Sequence, residues 1–219
     1  MQIEQEIGRT EASQRKAFAK ACSLALKRAT YGSGWRSAQG KIFCELDGWF
    51  CQVDAAVWVG RRCTTMEFHA KPMALDPLFW DICGIPQNNL LPLSFRATGS
   101  WTCRTPAWSV SEIAEPGLTP DIFGKNSLEW ARAQTKELSS RSIQDFHLLL
   151  QPAKKHYTAT LITSLCLAGK FAEARELSMA DMESDYGGGF GKLGPSGQTT
   201  FFDMVLSWLD TPRSALVLH

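Results

Sequence analysis

The sequence predicts an α+β fold, and three features point to it. Residues 2–29 carry apolar side chains at helical spacing. Residues 41–70 alternate with a period of two between turn dipeptides, and from Asn126 onward the pattern is helical. Strands grouped early and helices grouped late match an antiparallel sheet with segregated helices, not repeating βαβ units. The 219 residues are enough to bury one core or two small ones without help from a metal or disulfide. The reading is an N-terminal helix plus antiparallel β-meander in residues 1–125. A C-terminal helical region, 126–219, packs on it within the same domain.

In the first helix, Ile3, Ile7, Phe18, Cys22, Ala25 and Ala29 form the apolar stripe, and Arg15, Lys16, Lys20 and Lys27 form the solvated side. Gly32 and Gly34 end it. Asp47-Gly48 then signals a two-residue hairpin turn. Its register sets Leu46 opposite Trp49, Cys44 opposite Cys51 and Ile42 opposite Val53, all on one side because side chains alternate. A second turn at Gly60-Arg61 brings Val53, Ala55 and Val57 opposite Phe68, Met66 and Thr64. The apolar face thus crosses three strands without a slip, so two turns chosen separately agree.

Asp76 as N-cap and Pro77 at the first position open a short helix with Phe79, Trp80 and Ile82, closed by Gly84. Residues 91–98 and 101–105 read as a hairpin joined at Gly99-Ser100. Pro106, Pro116 and Pro120 mark an irregular stretch. Three pairs have N-cap and N3 spacing: Asn126 with Glu129, Ser142 with Asp145, and Thr200 with Asp203. Pro152 stops the helix that Ser142 opens, and the last helix ends before Pro212. Residues 155–168 and 171–184 make a helix pair around Gly169-Lys170, and residues 187–197 are a glycine-rich loop.

Charge narrows the function classes. With 23 Lys+Arg against 22 Asp+Glu the formal charge is +1, and the sequence pI is 7.6. Nucleic-acid binding normally needs a clustered basic patch and a domain pI above about 9, so a nucleic-acid partner is not expected. Residues 1–40 hold seven basic and three acidic side chains, but Glu4, Glu6 and Glu11 dilute the cluster. No apolar run reaches the ~18 residues of a membrane helix. The first residues are acidic where a signal peptide is basic. A cytoplasmic protein is expected, with its seven cysteines reduced and mostly buried, since no C-x-x-C occurs.

The motifs are mostly negative. Gly189-Phe190-Gly191-Lys192-Leu193-Gly194 matches G-x-G-x-x-G, whose glycines let backbone amides approach phosphates. Here it follows a helix and precedes Pro195, so the reading is a linker between helices. Among the histidines, His69, His147, His156 and His219 match no zinc spacing, and no cofactor or metal is expected. His147 lies in an apolar stretch and reads as a hydrogen-bonded core-edge residue. Cys44 and Cys51 are within disulfide reach, but an inward face and a reducing compartment favour two packed thiols.

The outer face of the meander holds the candidate site. The hairpin registers put Lys41, Asp54 and Glu67 in one row, with Gln52 beside His69 and Trp58 on the same face. Paired carboxylates next to an imidazole can share a proton, so Asp54, Glu67 and His69 form one candidate acid/base group. Alternatively the face binds another protein through Trp58, Asp54, Glu67, Gln52 and His69, with an exposed tryptophan as the contact residue. A merely solvated or helix-edge polar face is the third alternative.

Two resemblances follow. Leu161–Met182, with Ala168-Gly169, Phe171, Ala174 and Leu177, resembles one helix–turn–helix of a tetratricopeptide repeat. No second copy is present, and a lone unit cannot bury its own face. Across residues 17–70, a helix runs into Gly34-Trp35 and then a hairpin turning at Asp47-Gly48-Trp49. This layout resembles small bacterial proteins of unknown function, some of them thought to act as immunity proteins against toxins. The resemblance implies a protein partner and carries over no functional residue. The expected function is therefore non-catalytic protein binding of an immunity or antitoxin kind. A small-molecule binder or hydrolase using the same face is the alternative.

Overall fold

The structure is a computed structural model describing residues 2–58, 63–114, 117–182, 189–194 and 197–211. The side chains of residues 2–11, 154, 193 and 194 lie outside the description. An N-terminal helix, a five-stranded antiparallel sheet and later helices make the α+β arrangement read from the sequence. The chain groups into two compact units, Met1–Lys71 with Ala107–Arg141 and Pro72–Pro106 with Ser142–His219. Each unit takes residues from both sides of position 125.

In the first unit, helix α1 (Gln2–Thr30) precedes strands β1 (Arg36–Ala38), β2 (Lys41–Leu46), β3 (Trp49–Trp58), β4 (Cys63–Pro72) and β5 (Ser109–Ala114) in one sheet of that order. Cys22, Ala25 and Leu26 of α1 are buried, while Arg15, Lys16, Lys20 and Lys27 are exposed. The Asp47-Gly48 turn behaves as the dipeptide demands. Both residues have positive φ, 49° and 79°, the backbone of a hairpin turn that matches strand twist. Pairing follows: Leu46 meets Trp49, Cys44 meets Cys51 and Ile42 meets Val53. The Gly60-Arg61 turn lies outside the described residues, although β3 and β4 are hydrogen-bonded neighbours.

Helix α4 (Pro120–Leu138) packs along α1 and against β3. It starts at Thr119, whose hydroxyl accepts from the Ile122 amide with Pro120 at the first position. Asn126, expected as the cap, lies two turns inside; a Thr-Pro start suits the orphan amides better because proline has none to satisfy. A Cβ added to Gly124 would sit 2.8 Å from the backbone carbonyl of Ala25, so the two helices approach closely there. On the sheet side, Ser109 Oγ donates to Gln134 Oε1. The Trp108 indole stands edge-on to Trp49 and donates to the Ala70 carbonyl.

The second unit contains α2 (Leu75–Ile82), α3 (Ser94–Thr98), α5 (Ile143–Leu150), α6 (Lys154–Leu167), α7 (Phe171–Met182), strands β6 (Gly191–Gly194) and β7 (Gly197–Thr200), and α8 (Phe201–Asp210). Ser142 with Asp145 and Thr200 with Asp203 both form complete capping boxes, and α6 and α7 turn about Gly169 as read from the sequence. Three readings fail here.

Residues 91–105 form no hairpin. Residues 94–98 are helical and 101–105 are not a strand. Gly99 has φ −72° and ψ 149°, without the positive φ that a two-residue hairpin turn uses. Asp76 is not the N-cap, since α2 begins behind Ala74. Its carboxylate is fully buried and accepts from the Cys103 amide at 2.9 Å and from Arg96 Nη1 at 3.3 Å. The glycine-rich segment is not a linker from Gly191 on, because Gly191–Gly194 pairs with Gly197–Thr200. Phe190 before it is packed among Phe79, Trp101 and Phe201. Lys192 Nζ donates to the Cys83 carbonyl, a cation at the C-terminal end of α2 where the helix dipole favours one.

Candidate functional site

Position 41 and its even-numbered partners on β3 face the side of the sheet opposite Ile42, Cys44 and Trp49. The face begins with Lys41, Phe43 and Glu45 on β2 and continues with Phe50, Gln52, Asp54 and Trp58 on β3. On β4 it carries Thr65, Glu67, His69 and Lys71. The β4–β5 register sets Glu67 opposite Val110 and Thr65 opposite Glu112, which adds both β5 residues to the same face. The sequence reading missed that contribution. Residues 109–114, SVSEIA, do alternate in period two, the signal that could have found β5.

Exposure divides the face into two ends. Phe43, Phe50 and Lys71 are buried, and the Lys71 ammonium lies 5.3 Å from the centre of the Phe50 ring. This end is therefore covered, not solvated. At the other end Trp58 is 53% exposed and Val110 66% exposed, and Glu67 and Glu112 are exposed. The Trp58 indole is held in place, donating from Nε1 to Thr65 Oγ1 at 3.1 Å. Two polar pairs share this face, Lys41 with Asp54 and Glu67 with His69.

Those pairs give Asp54 and Glu67 different contact partners. The Asp54 carboxylate accepts from Lys41 Nζ through one oxygen and from Gln52 Nε2 through the other. Glu67 instead meets His69, with Oε2 and Nε2 3.5 Å apart. Spacing of two along β4 puts both side chains on one face, which is why they meet. An ammonium and an amide hold the Asp54 carboxylate, while Glu67 and His69 contact each other. Gln52 thus serves Asp54.

All seven cysteines are buried and none is in a disulfide; the sequence reading expected mostly buried thiols. Cys44 and Cys51 are hydrogen-bonded to each other. That bond lowers the Cys44 thiol from its ordinary value, against burial, and raises Cys51, which burial raises further. His147 is buried, but neither ring nitrogen finds a hydrogen-bond partner among the described residues, contrary to the expectation of a bonded core-edge histidine. Among the described residues no group of three or more His, Cys, Asp or Glu side chains is placed to hold a metal ion. No helix among them is long and apolar enough to cross a membrane.

The fold and this face define an α+β protein whose antiparallel sheet is covered at one end of its outer side and open at the other. No protein-family model, curated protein or solved structure matches the chain.

Proposed function

We propose that the open end of the sheet face binds another protein, with Trp58 as the anchor. The observation that carries this reading is a large aromatic ring, half-exposed yet already fixed by a hydrogen bond to its neighbour strand. A ring held in one rotamer loses little conformational freedom on binding, and tryptophan is enriched among residues that dominate interface energetics. Val110, opposite Glu67, adds exposed apolar area to the same face, and the exposed Glu67 and Glu112 add negative charge to it. The matching partner has an apolar pocket rimmed by basic side chains, because complementary charge speeds encounter and rejects other partners. The layout of residues 17–70 fits an immunity or antitoxin-like role for such binding, in which the acids occlude a basic site on a toxin.

Native mass spectrometry of the protein recovered gently from its source cells tests the reading. The expected result is a second protein at fixed stoichiometry, lost from the combined variant Trp58→Ala, Glu67→Gln and Glu112→Gln. A partner retained by that variant removes this face from the proposal. A small added mass that disappears on unfolding replaces the reading with a small-molecule binder or hydrolase.

A further inference from the structure

We propose that Cys44 and Cys51 are a redox-responsive pair that closes to a disulfide when a hydroperoxide oxidises it. The two residues stand directly opposite each other on β2 and β3. Directly opposed residues on antiparallel strands have Cα atoms about 4.5–5.5 Å apart. A disulfide spans about 4.4–6.8 Å between Cα atoms, so the bond closes without a change of register. The hydrogen bond between the two thiols already brings their sulfurs together.

The same geometry orders the steps. Cys44 retains 6% exposure, whereas Cys51 has none. Cys44 lies three residues from the Asp47-Gly48 turn, beside the exposed Glu45, Leu46 and Asp47, so a molecule as small as a peroxide reaches it first. Cys44 is also the thiol whose ionised form the hydrogen bond from Cys51 favours, and the thiolate is the reactive form. Burial acts the other way elsewhere, pushing Cys22 up to about 11 and Cys83 up to about 12.

In the first step the Cys44 sulfur attacks one peroxide oxygen and the O–O bond breaks. The departing oxygen leaves as water with the thiol proton, and Cys44 becomes a sulfenic acid. The Cys51 sulfur then attacks the Cys44 sulfur and the S–O bond breaks. The hydroxyl departs as a second water with the Cys51 proton. Each sulfur gives up one electron, and one hydrogen peroxide is reduced to two waters. The product staples β2 to β3 on the face opposite Lys41, Gln52 and Asp54.

The full chain is treated with hydrogen peroxide at one equivalent, quenched with catalase, unfolded, alkylated and mapped without reduction. The expected first product is the peptide pair linked through Cys44 and Cys51, with the intact mass reduced by two hydrogens. Reduction restores both alkylation sites. In Cys51→Ser the link is absent, and a dimedone adduct accumulates on Cys44. The proposal is overturned if both thiols remain fully alkylatable while another cysteine oxidises first. A dimedone adduct on Cys51 ahead of Cys44 would also overturn it. If the serine variant does not fold, the wild-type peptide map decides alone.

Discussion

Residues 41–58 and residues 91–105 look alike as sequence: each has two β-favouring runs around a short turn dipeptide. Only the first becomes a hairpin. At Asp47-Gly48 both turn residues hold positive φ, and every pair that the turn dictates is present. At Gly99-Ser100 the glycine is extended, and the backbone beyond it is served by side chains from elsewhere. Trp80 Nε1 donates to the Trp101 carbonyl, Asp76 accepts from the Cys103 amide, and Thr160 Oγ1 donates to the Arg104 carbonyl. Buried backbone groups must find partners. A strand ladder is one source, and three side chains from two helices are another. The hairpin is written locally, whereas the second segment depends on contacts as far as 56 positions along the chain.

The largest effect should come from breaking the non-local side. Asp76→Ala removes the acceptor of the Cys103 amide and leaves Arg96, whose side chain is 12% exposed, without its buried carboxylate. Removing one partner of a buried charge pair costs about 3–5 kcal/mol. Urea denaturation should show that loss, and hydrogen exchange at Cys103 should quicken. A loss below about 1 kcal/mol would mean that the segment is held some other way.

The two glycines sharpen the contrast because they are needed for different reasons. A Cβ on Gly99 would come within 2.6 Å of the Phe95 carbonyl oxygen and 2.7 Å of its ring. Gly99→Ala should therefore cost about 1–3 kcal/mol, as overpacking does. At Gly48 nothing lies within 4 Å of the added atom, but φ is +79°. Gly48→Ala should cost about 1–2 kcal/mol through backbone strain alone. Gly48→Asn should recover part of that loss, since asparagine tolerates left-handed backbone, whereas Gly99→Asn should recover none. Equal rescue at both sites in thermal melts would erase the distinction.

The smallest effect belongs to the hairpin's own ion pair. Lys41 and Asp54 side chains are 28% and 35% exposed, and pairs in such surroundings contribute about 0–1 kcal/mol. Lys41→Met should leave the denaturation midpoint within that range, and added salt should shrink even this difference. A larger loss would make the pair a determinant of the hairpin, not a product of it.

Much of the candidate site was legible for the same reason as the hairpin. Once Asp47-Gly48 sets the register, Lys41 must face Asp54, and Gln52 and Trp58 must share their side of the sheet. The Glu67–His69 pair follows from spacing along one strand. The bond from Gln52 to Asp54 did not follow. Gln52, two positions away on the same strand, occupies the oxygen that Lys41 leaves. Val110 and Glu112 were missed because β5 comes 37 positions after β4 ends, and no turn between them records the pairing.

By itself the sequence determined what neighbours along the chain can settle: the first helix, the β2–β3 register, two capping boxes, the α6–α7 hairpin and the α+β class. These rest on interactions across a few residues, where turn geometry and side-chain period leave one arrangement. Tertiary structure alone decided the burial of Asp76, the course of residues 91–105, the packing of Phe190 and the addition of β5 to the sheet. It also decided which end of the outer face stays open around Trp58. Those outcomes turn on burial and on the satisfaction of backbone groups by distant residues. Such contacts are made between segments whose separation in sequence carries no periodicity to reveal them.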